Sequence, residues 1–120
     1  MTTTKTIQLD FLKPYMKPVE VCEGDSCMLD IHMSVSGFPI NITDSVVIFY
    51  VKKPDGSAVI NPCDNIDCTI GHVQCNVKDQ AFDTAGELRC WMLIIKGGDE
   101  LRSMEFNVTV NAPEDETLPI

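Results

Sequence analysis

Apolar and polar residues alternate along most of this chain with the two-residue period of β-strands. Every second residue from Cys27 to Val35 is apolar, whereas Asp30, His32 and Ser34 fall on the opposite face. The same alternation marks HVQCNV, GELRCWMLII and LRSMEFNVTV, and KPVEVC fits a short early strand. SVVIFYV is β-branched and aromatic on both faces, which predicts a central strand. About seven short strands separated by turn residues are typical of an all-β sandwich or barrel.

A strong turn signal, KKPDG at residues 52–56, separates two of these strands. Pro54 sets the backbone angle φ of the second turn position and Asp55 tolerates the third. Gly56 supplies the positive φ that closes a hairpin. The pattern therefore predicts an antiparallel hairpin whose turn contains Pro54, Asp55 and Gly56.

The two ends of the chain differ from its centre. A length of 120 residues fits one domain, and the predicted sandwich occupies residues 15–111. Residues 1–14, which begin with MTTTKT, are predicted to be a flexible N-terminal segment. Residues 112–120 belong to the acidic, proline-containing stretch NAPEDETLPI, which predicts a mobile tail.

The acidic composition narrows the classes of partner. A formal net charge of −9 argues against nucleic acid, whose binders carry a basic patch, and against an anionic membrane surface. No apolar run approaches the ~18 residues of a membrane-spanning helix, and the start of the chain lacks the apolar core of a signal peptide. We therefore expect assembly in a reducing cytoplasm, where thiols are the default state of cysteine.

Six cysteines raise the questions of disulfides and metal binding. Cys27, Cys75 and Cys90 stand in phase with core residues, where cysteine acts as a small hydrophobic side chain. Cys63 and Cys68 flank a polar segment, CDNIDC. A local disulfide, participation in a metal site and solvent-facing thiols are all open for this pair.

No arrangement of residues predicts catalysis or a cofactor. The chain contains no Gly-x-Ser-x-Gly element and no glycine-rich phosphate loop. His72 and Cys75 are three residues apart, which places them on opposite faces of a strand. His32 and His72 are far apart in the sequence, unlike the closely spaced ligands of structural zinc sites. We therefore expect no catalytic residue, no cofactor, no metal ligand and no enzymatic activity.

One strand, GELRCWMLII, is apolar on both faces. Trp91, Leu93 and Ile95 lie on the face opposite to its core residues. Such a strand is either covered by another layer or exposes a patch to a partner, and tryptophan is a common anchor of binding patches. Trp91, Leu93 and Ile95 are therefore candidate interface residues, with burial under a loop or under the N-terminal segment as the alternative.

The order of several elements resembles one known family. VCEGDSCMLDIHMSVSGFPINIT contains a Gly-Asp pair, an alternating strand and a G-x-P-x-x-[IL]-T loop, and V-x-F-x-x-x-K-P-D-G follows it. The later segment QAFDTAGELRCWMLIIKGGDELRSMEFNVTV is similar to the family's Q-A segment, its strand–GG–R-S hairpin and its closing F-x-[IV]-x-V strand. Over about residues 15–111 the chain resembles the N-terminal domain of phage upper baseplate proteins, from tailed phages and prophages of Gram-positive bacteria.

This resemblance implies an immunoglobulin-like antiparallel β-sandwich of about seven to eight strands that serves as a connector. It implies a non-catalytic virion protein of the tail or baseplate, assembled in the cytoplasm of the bacterial host. Its partners would be other phage tail or baseplate proteins, and a homo-oligomer such as a trimer is consistent with the family. In the family a coiled coil and a receptor-binding part follow this domain, whereas this chain reaches Ile120 without heptads. We therefore expect either an anchor module or part of a longer chain.

Two other functions stay open from the sequence. An isolated sandwich could recognise a host-surface saccharide or protein, with Tyr50, Trp91 and Phe38 as candidate aromatic contacts. A metal protein or enzyme could instead use Cys63, Cys68 and one further ligand.

Overall fold

Strands make up most of the part of the chain that the structure describes. The structure is a computed structural model, and it describes residues 2–24, 26–77 and 79–112. The strands are, in chain order, β1 (Thr2–Asp10), β2 (Val19–Cys22), β3 (Ser26–Val35), β4 (Phe38–Pro39), β5 (Val46–Lys52), β6 (Ala58–Pro62), β7 (Asp64–Asp67), β8 (His72–Val77), β9 (Gly86–Lys96), β10 (Asp99–Arg102) and β11 (Phe106–Asn111). Single-turn 3-10 helices lie at Cys68–Ile70 and Asp79–Phe82.

The first sheet, sheet I, has the strand order β1-β3-β8-β7, with β4 paired to the end of β3. The β1–β3 pair is parallel, whereas β3 pairs with β8 and β4, and β7 with β8, in antiparallel fashion. The register of β3 and β8 places His32 directly opposite His72. Two histidines that are distant in the sequence are therefore cross-strand neighbours.

The second sheet, sheet II, has the order β2-β11-β9-β5-β6, with β10 paired to the end of β9. The β2–β11 pair is parallel, and the remaining pairs are antiparallel. The register of β5 and β9 places Tyr50 opposite Trp91 and Ile48 opposite Leu93. The two strands that read as apolar on both faces are thus neighbours at the centre of one sheet.

The core lies between the inner faces of the two sheets. It is built from alternate residues of the strands, because successive side chains of a strand point to opposite faces. Its largest fully buried side chains are Phe49, Phe82, Ile7, Leu9, Leu29, Ile31, Met33, Ile42, Leu88, Met92, Val47 and Val51. Removing such a side chain from water contributes roughly 1.5–3 kcal/mol, which is the main force that holds the sheets together.

The predicted fold class is confirmed, because the described chain is an all-β sandwich of two packed sheets. The sheets are mixed rather than purely antiparallel. The chain leaves sheet I after β1, adds β2 to the edge of sheet II, and returns to sheet I as β3. Since β1 and β3 are joined through this crossing rather than through a tight hairpin, they run in the same direction.

The prediction of a flexible segment at residues 1–14 is wrong for residues 2–10. These residues form β1, which pairs with β3 along its whole length. Ile7, Leu9 and Phe11 are buried in the core, and their burial holds the strand in place. The polar start of the chain hid this alternation, so the sandwich begins well before residue 15. Of the predicted tail 112–120, residues 113–120 lie outside the described residues.

The turn between β5 and β6 contains Pro54, Asp55 and Gly56. The backbone N–H of Lys53 donates to the carbonyl of Ser57 over 2.8 Å, and the N–H of Gly56 donates to the carbonyl of Lys53 over 2.9 Å. The carboxylate of Asp55 accepts from the N–H and the hydroxyl of Ser57. Gly56 has a φ of 92°, a conformation that glycine adopts without steric cost.

Candidate functional site

The outer face of sheet II is apolar over its central strands. We call this set of side chains the apolar face; it consists of Val46, Ile48, Tyr50, Ile60, Trp91, Leu93 and Ile95. Cross-strand pairs such as Ile48–Leu93 join them into one patch, while the alternate residues of the same strands fill the core. The structure therefore brings the three predicted interface residues together with Tyr50, a candidate aromatic contact, and with three neighbours that the sequence did not single out.

The apolar face is in contact with solvent in this chain. Val46 and Ile60 are each 57% exposed. Leu93 and Ile95 are half-buried, because β9 lies between β5 and β10. Contiguous exposed apolar surface of this kind marks interaction sites in soluble proteins.

Trp91 itself is covered on both faces of its ring. Tyr50 stacks on one side, with ring centroids 4.4 Å apart and an angle of 16° between the rings. The guanidinium of Arg102 lies 4.0 Å from the centroid of the Trp91 ring, a cation–π contact. Trp91 is consequently only 9% exposed. It acts as a rigid support of the apolar face, and the accessible surface belongs to its neighbours.

A cluster of charged side chains borders the apolar face at the end that contains Trp91. Glu105 accepts two hydrogen bonds from Arg89, at 3.1 Å and 3.0 Å, and one from Arg102 at 3.2 Å. The hydrogen bond from Arg89 is the main cause that lowers the pKa of Glu105. Burial is the next cause and acts against it, and the charges of Arg89 and Arg102 add to the lowering. An apolar centre with a charged margin is the usual anatomy of a protein interface.

The outer face of sheet I is polar, in contrast. Asp30 and His32 of β3 lie beside Gln74 and His72 of β8. Nε2 of His72 lies 2.6 Å from Oδ1 of Asp30, and Nε2 of His32 lies 3.4 Å from its Oδ2. The amide of Gln74 donates to Oδ1 over 3.1 Å. The hydrogen bond with His72 is the main cause that lowers the pKa of Asp30, with partial burial acting against it and Gln74 in its favour.

Gly71 sets the position at which β8 begins. Its φ is 68°, and its carbonyl accepts a hydrogen bond from the N–H of Met33 over 3.0 Å. A Cβ at this position would lie 2.7 Å from the carbonyl oxygen of Met33 and 2.8 Å from that of Ile40. Only glycine fits this close approach, which sets His72 opposite His32.

Most of the cysteines are packed side chains, and Cys22 is the exposed exception. Cys27, Cys75 and Cys90 are fully buried, as their phase predicted. Cys63 and Cys68 are half-buried free thiols that form no disulfide with each other. A hydrogen bond with Cys75, together with burial, raises the pKa of Cys63.

Burial also raises the pKa of Cys90. The reactive form of a cysteine is the thiolate, so Cys63 and Cys90 are poorly suited to act as nucleophiles.

In the described ranges, the group of three potential metal ligands found within 4.8 Å of one another is Asp30, His32 and His72. Cys63 and Cys68 do not belong to it.

The sequence analysis did not predict this histidine pair, because it considered only how far His32 and His72 are apart along the chain. The signal that could have found it was the pairing of two alternating segments, CMLDIHMSV and HVQCNV. An antiparallel register between their core phases brings the polar positions of both onto the same outer face. That register depends on the loop between the strands, which the alternation does not specify.

Comparison with known proteins gives the family. The family described as the BppU N-terminal domain matches residues 3–119. The solved N-terminal domain of phage TP901-1 ORF48 is similar in fold, with a TM-score of 0.75 and 19% identity, over 90% of this chain and 98% of that one. No curated protein matches the sequence. In the described residues, no helix is long and apolar enough to cross a membrane.

The architecture places this chain among the all-β sandwich proteins with two mixed sheets. Because the match spans nearly the whole sequence, the chain belongs to the BppU N-terminal domain family. It is a structural domain of the phage baseplate. The resemblance seen in the sequence is thereby confirmed, and it extends on both sides beyond the predicted range of 15–111.

Proposed function

We propose that this chain is a non-catalytic connector of the phage virion that docks to neighbouring tail or baseplate proteins through the apolar face. The observation that carries the proposal is the second apolar surface of sheet II. The core already uses the inner residues of β5 and β9, so the outer residues form apolar surface beyond what the core requires. Burying them against a partner gains roughly 25 cal/mol for each Å² removed from water.

The arrangement of the face supports docking. Trp91 is held between Tyr50 and Arg102, so its orientation is set before a partner binds. Tyrosine, tryptophan and arginine are the residues most enriched at the energetic centres of interfaces. A preorganised face loses less side-chain entropy on binding than a mobile one.

The same geometry disfavours the recognition of a saccharide. Sugar binding by stacking requires an open aromatic face, and both faces of the Trp91 ring are covered. Phe38 is 76% exposed, but it belongs to sheet I and does not share a surface with Trp91. The raised pKa values of Cys63 and Cys90 also support a role without nucleophilic catalysis.

Co-expression with the proteins encoded by neighbouring tail genes tests the proposal. We expect the wild-type chain to co-elute with at least one of them in size-exclusion chromatography. Leu93→Asp should abolish co-elution, because it places a charge within the apolar face, directly opposite Ile48. Ile66→Asp is the matched control: Ile66 is 50% exposed but lies on β7 of sheet I. Equal co-elution of wild-type and Leu93→Asp protein would contradict docking through this face.

Light scattering of the purified chain tests whether a further copy occupies the face. An assembly larger than a monomer that Leu93→Asp or Trp91→Ala dissociates would identify self-association, with a trimer as the form that the family resemblance suggests. A wild-type monomer that still co-elutes with a tail protein would assign the face to a different partner.

A further inference from the structure

The polar side chains on sheet I form an arrangement of potential metal ligands that docking through sheet II leaves unused. We call Asp30, His32 and His72 the histidine cluster. Asp30 and His32 are two residues apart on β3, and His72 begins β8 directly opposite His32. One ligand atom from each of the three lies within 4.8 Å of the others. We propose that the histidine cluster binds one divalent transition-metal ion, for which Zn²⁺ is the probe.

The ligand atoms select this class of ion. Ca²⁺ and Mg²⁺ are bound by oxygen ligands, whereas imidazole nitrogen suits zinc, copper and nickel. Two imidazoles and one carboxylate, completed by a water molecule, form a known type of four-coordinate zinc site. The side chains of His32 and His72 are 32% and 19% exposed, so solvent and ions reach the cluster.

Both imidazoles already converge on one carboxylate. His72 approaches Oδ1 of Asp30 at 2.6 Å, and His32 approaches Oδ2 at 3.4 Å. An ion bound here takes the place of the hydrogen bond between His72 and Asp30. The ligating nitrogens must be unprotonated, so binding releases any proton held there to solvent.

The stacked rings must tilt for the ion to enter. The rings of His32 and His72 lie 4.2 Å apart and are inclined by only 11°. The lone pairs of two nearly parallel rings run side by side, so they meet at one ion only after a ring rotates about its χ2 bond. This rotation is possible because both rings are only partly buried. Loss of the stacking geometry is therefore a signature of binding at this cluster.

The surroundings hold the ligands and leave room for solvent. Gln74 donates over 3.1 Å to Oδ1 of Asp30, the oxygen that also faces His72, and a hydrogen bond of this kind orients a metal ligand. His32 also lines an open depression of about 310 Å³, together with Gln8 and Ser34. All three ligands stand on paired strands, which position side chains more rigidly than loops do.

Equilibrium dialysis against Zn²⁺ tests the proposal on the full chain, prepared without a histidine tag and stripped with a chelator. We expect one ion per chain. His32→Ala and His72→Ala should each lower the affinity for Zn²⁺ by more than ~10-fold. Even the loss of a residue that only hydrogen-bonds to a metal ligand typically lowers metal affinity by ~10-fold or more. The double variant Cys63→Ser with Cys68→Ser is the matched control, because these two thiols are the zinc ligands that the sequence suggested, and it should bind as the wild type does.

A second readout separates ligation from loss of the fold. Zn²⁺ should raise the melting temperature of the wild type and of the cysteine variant, because a ligand that binds only the native state stabilises it. It should shift the imidazole ¹⁵N resonances of His32 and His72. Asp30→Asn keeps the shape of the side chain and should weaken binding even if an alanine variant does not fold. Absence of saturable binding, or binding that survives the histidine changes and is lost with Cys63 and Cys68, would overturn the proposal.

Discussion

The outer faces of the two sheets differ, although their inner faces are alike. Both inner faces are continuous apolar surfaces. On sheet I the outer positions of β3 and β8 carry polar side chains such as Asp30 and His72, whereas on sheet II the outer positions of β5 and β9 carry residues such as Ile48 and Leu93. One apolar face per sheet is enough to build a sandwich. The second apolar face of sheet II is therefore surplus to the core, which is why we propose it as the docking surface, and the polar face of sheet I carries the proposed metal site.

The largest expected effect concerns the inner face that both sheets share. Phe49→Ala should lower the free energy of unfolding by about 3–5 kcal/mol, because Phe49 is fully buried and its truncation leaves a cavity. Val46→Ala, three residues away on the outer face of the same strand, should change it by less than about 0.5 kcal/mol. Urea denaturation measures both. Similar losses for the two variants would mean that the outer face is part of the folding core.

The next largest expected effect is the loss of stability when Gly71, which precedes β8 of sheet I, is replaced. Gly71→Ala should destabilise by roughly 2–3 kcal/mol, because the residue has a positive φ and its Cβ would clash with two backbone carbonyls. In the hairpin of sheet II, Gly56→Val should cost only ~1–2 kcal/mol, from backbone strain alone, since a Cβ there would meet no atom within 4 Å. Thermal denaturation that ranks Gly56→Val above Gly71→Ala would contradict this order.

The support of the apolar face provides a smaller effect. Arg102→Ala should cost about 0.5–1 kcal/mol, the usual value of a cation–π contact at a partly exposed site. It should also shift the fluorescence emission of Trp91 to longer wavelength, because one face of the ring becomes hydrated. Lys96→Ala, at an exposed position of β9, is the control. An unchanged emission spectrum in Arg102→Ala would show that the guanidinium does not cover the ring.

The smallest effect is electrostatic and depends on pH. The pKa of Glu105 is lowered in the folded chain, chiefly by Arg89, so the carboxylate stabilises the fold above the ordinary pKa of glutamate. This contribution is lost as the pH falls through the lowered, folded-state pKa. Solvent screening limits it to a few tenths of a kcal/mol. Glu105→Gln should therefore be slightly less stable than the wild type at neutral pH and equal to it in strong acid; a difference that grows on acidification would have the wrong sign.

Alternation predicted the sheets well where it was strict. The inner phases of β3, β8 and β11 follow directly from the sequence, because each buries one face and exposes the other. The same reasoning failed for β1, where the threonines and lysine that surround Ile7 and Leu9 hid the pattern. Alternation also could not predict that β1 pairs with β3, and β2 with β11, in parallel fashion. Periodicity along one strand contains no information about which strand lies beside it.

The candidate site residues also fall into two groups: those that the pattern of a single strand predicts, and those that only the pairing of strands shows. Trp91, Leu93 and Ile95 were found from the apolar excess of one strand, but their companions Val46 and Ile60 come from other strands and required the register. The pairing of His32 with His72 required it entirely.

The amino-acid sequence by itself determined that this protein is an all-β sandwich with two strands too apolar for a single core, because the side-chain period of a strand is a local property. The tertiary structure alone decided which strands are neighbours. Register and sheet order arise from packing between segments that are distant in the chain. For that reason only the folded chain shows that the excess apolar residues form one continuous face, and that two remote histidines share a carboxylate on the other.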